Sequence, residues 1–258
     1  YAALAWLAAL RGIPVILVYG EFGVVRFAKS HTAAEIYDLF KHPTNSELLN
    51  FAPPRLEALR QAGAFYIAKR LAGRTSDISA IYAFQKRNEK TTRAAICKQF
   101  GWDPNRPIIS VYVPTWFDYP HMFGSAHFRD FLDWFAATLN VAERVDSVNW
   151  LIKSHPCEEW YGGISLRDIV SRTQYPHVQF VPENWSGATL VECTDGVVTY
   201  HGTAGIEYAG SGKPVLLADS GWYHDLGIAL WPKSRNEYLD ALARPWWRDL
   251  DLADTKRR

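Results

Sequence analysis

Cysteine is scarce and poorly placed for pairing. The three residues, Cys97, Cys157 and Cys193, have no Cys-x-x-Cys spacing. An odd, scattered set argues against a disulfide framework or a thiolate zinc site and fits reduced thiols in a cytosolic protein. Charge of one sign is also lacking. There are 28 Lys and Arg against 27 Asp and Glu, and the longest basic run is the terminal Lys256-Arg257-Arg258. No broad basic face for nucleic acid is expected. Histidines at metal-ligand spacing are absent: there is no HExxH string, and His121 and His127 are not one helical turn apart, so no metal is expected. A Walker loop is absent too, because Pro214 follows Gly210-Ser211-Gly212-Lys213 where a Ser or Thr would be needed. The first twenty residues, YAALAWLAALRGIPVILVYG, are apolar enough to raise the question of a membrane span. The Arg11-Gly12-Ile13-Pro14 break answers it as a helix over 1–10, a turn and a buried strand over 15–18. The same string lacks the basic start and cleavage site of a signal peptide. It has no initiator Met and opens inside an apolar pattern, so the chain reads as a piece whose earlier strands are missing.

What is present is ample core material, 48% apolar over 258 residues, enough for one large domain or two small ones. Helical patterns fall at 33–40, 54–72 and 88–100. Pro53-Pro54 opens the second, and Gly101 caps the third. A turn-rich joint at 101–107 marks the expected domain boundary. Beyond it, apolar strands at 108–113, 150–153, 178–181, 197–200 and 214–218 alternate with helices at 128–139, up to about 172, at 186–192, from 205 and at 235–242. Short apolar strands separated by helices predict a parallel sheet covered on both faces. The organisation read here is a partial N-terminal α/β lobe on the acceptor side (1–100), a C-terminal Rossmann-like domain (107–243) and a tail (244–258). Trp246 and Trp247 need cover, so the tail is expected to pack back across the joint.

Ligands of such sheets bind beyond the carboxyl ends of the strands. Three loops there carry chemistry. After 197–200 comes His201-Gly202-Thr203-Ala204-Gly205, a small-residue turn opening a helix, whose backbone N–H groups and dipole suit a phosphate. Glu207 follows one turn on. After 150–153 comes Lys153-Ser154-His155-Pro156, with Glu158 beyond it. Pro156 pins the backbone, and a histidine there donates to a phosphate oxygen or exchanges a proton near neutral pH. After 108–113 comes an aromatic loop with Trp116, Phe117, Asp118 and His121. Trp116 suits stacking on a base or sugar face, and Asp118 is the candidate base, with His121 second. Phe117 and Phe123 read as packing residues.

In this order the segments resemble the capsule polysaccharide biosynthesis family: Thr115-Trp116-Phe117-Asp118, then FRDFLDWF, then Lys153 through His155-Pro156 to Glu158, then Glu183 and Ser186. They close with Tyr200-His201-Gly202-Thr203-Ala204-Gly205-Ile206-Glu207 and Gly212-Lys213-Pro214-Val215. The family includes bacterial glycosyltransferases similar to the capsular Kdo transferases and, more remotely, polysialyl and teichoic-acid polymerases. The resemblance covers about 107–242. It implies a GT-B fold of two Rossmann-like domains, with the nucleotide-sugar donor on the C-terminal one. It also implies that His155, Pro156, Gly202 and Thr203 bind the donor's phosphate, and that Glu207 holds the ribose or orients the loop. Lys153, Glu158, Ser186 and His201 complete the donor-binding set. His201 stands where family members often carry Ser or Thr.

The expected function is transfer of a sugar from a nucleotide donor to a glycan or glycolipid acceptor in bacterial surface-polysaccharide synthesis. No cofactor is expected, and the chain would work in the cytoplasm, free or peripheral at the inner membrane. The catalytic candidates are Asp118, His121 and His155. Two rivals stand beside this reading. A nucleotide-sugar epimerase of the same fold would isomerise the donor without acceptor. A non-catalytic nucleotide- or glycan-binding module would bind without turnover.

Overall fold

A computed structural model of the chain describes residues 2–21, 24–37, 45–84, 90–118 and 127–250. They divide into two compact units, Tyr1–Pro43 and Thr44–Arg258. In the first, helix α1 (Ala2–Leu10) turns at Gly12, whose φ is 72°, into an antiparallel hairpin of β1 (Val15–Glu21) and β2 (Val24–Ser30). Val18 lies opposite Phe27 in the register. The sequence predicts only the first of these strands, and as a buried one; Ile16 and Val18 on it are instead exposed. The second, VVRFAKS, carries Arg26 and Lys29 among apolar residues without a strict alternation, and among the described residues it pairs with β1. In place of the helix expected at 33–40 stands a 3-10 turn, Ala34–Tyr37, with 38–40 outside the described residues.

The second unit opens with α2 (Asn45–Leu49), α3 (Pro53–Leu71), α4 (Ile78–Ala83) and α5 (Arg93–Phe100). Proline at the start of α3 costs nothing, because the first N–H groups of a helix have no partner. Thr92 caps α5 by accepting from the Ala95 N–H at 3.2 Å. Gly101 ends α5 at φ 68°, the left-handed conformation that glycine adopts without strain. Strands and helices then alternate: β3 (Ile108–Tyr112), α6 (Phe131–Arg144), β4 (Asn149–Lys153), α7 (Leu166–Ser171), β5 (Val178–Phe180), α8 (Gly187–Cys193), β6 (Gly196–Thr199), α9 (Ala204–Gly210), β7 (Val215–Leu217) and α10 (Arg235–Leu242). The five strands pair in parallel in the order β5-β4-β3-β6-β7. The chain therefore builds outward from β3 on one side, then returns to β3's other side. The reversal lies between β3 and β6, where a doubly wound sheet leaves its ligand crevice.

Alternation along each strand sends one set of side chains to each face. On one face Ile109, Val111, Trp150 and Val198 pack under Phe131, Trp134 and Phe135 of α6 and Tyr238 of α10. The Tyr238 hydroxyl accepts from Trp134 Nε1 at 3.0 Å and lies 2.8 Å from Thr138 Oγ1, so the polar atoms of these three side chains are satisfied inside the core. On the other face Ile108, Leu151, Val197 and Val215 meet α5, α8 and α9. Each fully buried large apolar side chain contributes about 1.5–3 kcal/mol.

Two sequence expectations change here. The division into compact units falls between Pro43 and Thr44, not at the 101–107 joint. Helices α3 to α5, assigned to the first lobe, lie in the unit that carries the sheet: Ile67 rests against Gly210, Phe84 against Gly187, and Ile96 and Cys97 are buried with Leu151 and Leu190. As far as Leu250, the last described residue, the tail does not pack back across that joint. Trp246 is fully buried in the sheet's own core, against Gly196 at the start of β6, because that glycine leaves space for an indole; residues 251–258 lie outside the described set. Among the described residues no helix is long and apolar enough to cross a membrane.

Candidate active site

At the carboxyl edge of the sheet the register places Lys153 of β4, Tyr112 of β3, Thr199 of β6 and Leu217 of β7 in one row. Neighbouring strands lie about 4.8 Å apart, so the ends of β4 and β6 stand about 10 Å from each other across β3. Both phosphate-binding segments read from the sequence therefore leave the same edge, on either side of the strand that starts the aromatic loop.

Lys153 is the last residue of β4, and burial pushes its ammonium down to about 8. A part-buried amine with no carboxylate bonded to it among the described residues favours an incoming anion. His155 lies two residues on. Its Nδ1 accepts from the Cys157 N–H at 3.2 Å, which leaves Nε2 as the protonated nitrogen of the neutral ring. Burial holds the imidazole below its ordinary value. The charges of Asp118 and Asp77 oppose that shift, and Lys153 adds to it. His155 is thus a neutral N–H donor at pH 7 with two carboxylates in electrostatic reach. Pro156 occupies the turn that returns to Glu158, whose N–H donates to the His155 carbonyl at 3.0 Å.

The turn after β6 is braced from both sides. The Gly202 N–H donates to Thr199 Oγ1 at 3.3 Å, and the Gly202 carbonyl accepts from the Tyr223 hydroxyl at 2.6 Å. The Gly202 N–H, expected to face a phosphate, is therefore engaged inside the turn. The Thr203 and Ala204 N–H groups open α9 and have no acceptor among the described residues. His201 packs edge-on against Tyr200, ring centroids 5.1 Å apart.

Other sequence candidates have partners in the fold. Glu207 is 5% exposed, and its Oε1 accepts from Arg70 Nε at 2.6 Å. Burial raises its carboxyl above the usual range against the pull of Arg70. Of the two roles expected for Glu207, holding a ribose or orienting the loop, neither is decided by this pairing, which engages the carboxylate with Arg70 of α3. Glu158 Oε1 accepts from the Leu166 N–H at 2.8 Å and so caps α7. Ser186 sits buried at the cap position of α8. Trp116 donates from Nε1 to the Ile164 carbonyl at 2.7 Å and packs against Phe135, which fixes it as a brace between two loops. Asp118 is exposed just past β3, its N–H bonded to the Thr115 carbonyl at 3.2 Å. His121 lies outside the described residues.

Three supports were not visible in the sequence. Arg70, 3% exposed on α3, spans Glu207 and Asp77, with its NH1 2.9 Å from Asp77 Oδ2. Asp219, fully buried past β7, accepts from the Tyr200 hydroxyl and the His127 N–H, each at 2.8 Å, and so ties the end of the aromatic loop to the sheet edge. Tyr223 fixes the β6 turn as described. Only Asp219 carried a local signal, a carboxylate directly after an apolar strand. A cavity of about 310 Å³ opens on the β4–β5 side of this edge, with Ser154, Glu158 and Trp116 in its lining.

No family model matches the chain, and no curated protein matches it. Among solved structures, the wall teichoic acid polymerase TagF (H548A form) aligns at 12% identity with a TM-score of 0.37, over 64% of this chain and 40% of TagF. Thermosulfurimonas dismutans KpsC, a beta Kdo 2,4 transferase, aligns at 12% identity with a TM-score of 0.53, over 93% of this chain and 74% of KpsC. The chain is an α/β protein with the GT-B-like architecture that it shares with KpsC, its Rossmann-like parallel sheet lying in the C-terminal part.

Proposed function

We propose that this chain is a glycosyltransferase of bacterial surface-polysaccharide synthesis, moving a sugar from a nucleotide donor to a glycan or glycolipid acceptor. The observation that carries the reading is the row Lys153–Tyr112–Thr199 at the sheet's switch point. The strand end that carries Lys153 and leads to His155, and the end of β6 that leads into α9, share one edge about 10 Å apart, which supports the reading. In this reading Lys153 meets the charge of the departing nucleotide phosphate, and His155 Nε2–H donates to one of its oxygens. The Thr203 and Ala204 N–H groups hold another. Such preorganised donors stabilise charge as it develops. Asp118, within electrostatic reach of His155, takes the proton of the acceptor hydroxyl. A cytoplasmic or inner-membrane-peripheral location belongs to the same proposal.

The test is calorimetric titration of the chain with CMP, UDP, GDP and CDP and their sugars, followed by turnover assays with and without acceptor. One nucleotide family should bind, and His155→Ala should weaken it by about 1.5–3 kcal/mol, the range for a hydrogen bond to a charged group. Isomerisation of the donor without acceptor would replace this reading with an epimerase. Binding that His155→Ala leaves unchanged would remove His155 from the site.

A further inference from the structure

The cavity on the β4–β5 side differs in chemistry from the edge beside Lys153. Its wall carries Phe117 and Tyr161, 62% and 50% exposed, with ring centroids 6.0 Å apart and planes tilted by only 31°. Two large aromatic faces left side by side in water form a stacking platform rather than a packed core. Around them stand the carboxylates Glu158, Glu159 and Glu183 against a single guanidinium, Arg167, which is itself paired with Glu183 at 2.7 Å. Carboxylates accept hydrogen bonds from hydroxyls and repel anions. The cavity holds about 310 Å³, at the lower end of small-ligand sites. Its floor is fixed, because Trp116 is tied to the Ile164 carbonyl.

We infer that this cavity is a binding subsite for a neutral saccharide, whose apolar ring face lies on Phe117 and Tyr161 and whose hydroxyls donate to Glu159 and Glu183. The nucleotide phosphate is excluded here by charge and belongs beside Lys153. Phe117 immediately precedes Asp118, so a sugar on the platform brings a hydroxyl to the residue proposed as base. The inference rests on the glycosyltransferase reading for its place in the reaction, as an acceptor subsite; the binding itself stands without it.

The experiment uses saturation-transfer NMR and calorimetry on the 258-residue chain with maltose, cellobiose and lactose as neutral probes, glucuronate as the anionic probe and CMP and UDP as nucleotide probes. At least one neutral disaccharide should bind. Phe117→Ala and Tyr161→Ala, both at exposed positions and checked for unchanged circular dichroism, should each weaken it about tenfold. Glucuronate should bind more weakly and improve on Glu159→Gln. If none of the three disaccharides binds, if the two aromatic variants bind them equally well, or if glucuronate binds as tightly as the neutral sugars, the inference is overturned. Nucleotide binding without saccharide binding would overturn it while leaving the glycosyltransferase reading intact. Saccharide binding lost on Phe117→Ala, with no nucleotide bound, would uphold the subsite and remove the enzyme reading.

Discussion

Arg70 Nε donates to Glu207 Oε1 at 2.6 Å with both side chains buried, fastening α3 to α9 behind the turn at 201–203. The second arm of the same guanidinium holds Asp77, which caps α4 through the Ala80 N–H at 3.3 Å. Burial opposes the charge on Arg70, but the attraction of Glu207 and the bonds to Asp77 and Glu207 override it and keep Arg70 cationic. Removing one partner of such a pair leaves an uncompensated buried charge. Arg70→Met should therefore destabilise the chain by about 3–5 kcal/mol, lowering the thermal midpoint by on the order of 10 °C. Scanning calorimetry checks this. A variant with the wild-type midpoint would show that the pair carries no weight.

Lys153 gives the proposed site a pH signature. With the ammonium at about 8, it is charged below that pH and neutral above it. A nucleotide phosphate that relies on this charge should bind more weakly as pH rises from 7 to 9, by up to tenfold per unit once the amine has lost its proton. Lys153→Met should bind more weakly at pH 7 and show a flat profile over the same window. A wild-type profile that is already flat would place the amine away from the phosphate.

Asp118 separates catalysis from loop structure. Asp118→Asn should lower turnover by on the order of 10²–10⁴ and leave donor affinity nearly intact. If the carboxylate serves only its local turn, as Asp side chains commonly do, thermal stability will fall and turnover will stay within a few-fold. Steady-state kinetics alongside a melting curve distinguish the two.

Gly205 is held by contact rather than by backbone angle. A Cβ there would fall on the Tyr223 hydroxyl, the group that donates to the Gly202 carbonyl. Gly205→Ala should cost about 1–3 kcal/mol through overpacking, and Tyr223→Phe about 1 kcal/mol through the lost bond. The double variant should cost less than the two together, because the clash and the bond share one hydroxyl. Urea denaturation of the three variants measures this, and strict additivity would sever the proposed link.

The sequence by itself determined the elements of the sheet-bearing part. Runs such as Ile108-Ile109-Ser110-Val111-Tyr112 and Val215-Leu216-Leu217, each opened by a preceding Pro, specify buried parallel strands because burial on both faces leaves no charged position in them. Gly101 ends α5 by local hydrogen bonding, which neighbouring residues suffice to encode, whereas the helical pattern at 88–100 overruns its start, which Thr92 caps. The order of the strands was not legible, nor was the second strand of the N-terminal hairpin, whose sequence lacks a strict alternation and leaves Val25 and Phe27 exposed. Which ends of the sheet lie side by side depends on contacts between residues far apart in the chain. Only the folded arrangement sets Lys153 and Thr199 on either side of Tyr112 and brings Glu207 to Arg70. It also decided that Trp246 fills the space above Gly196, and that α3 to α5 belong with the sheet. A buried charge is tolerable only where its partner arrives, and Arg70 and Glu207, 137 positions apart, meet only when the chain is folded.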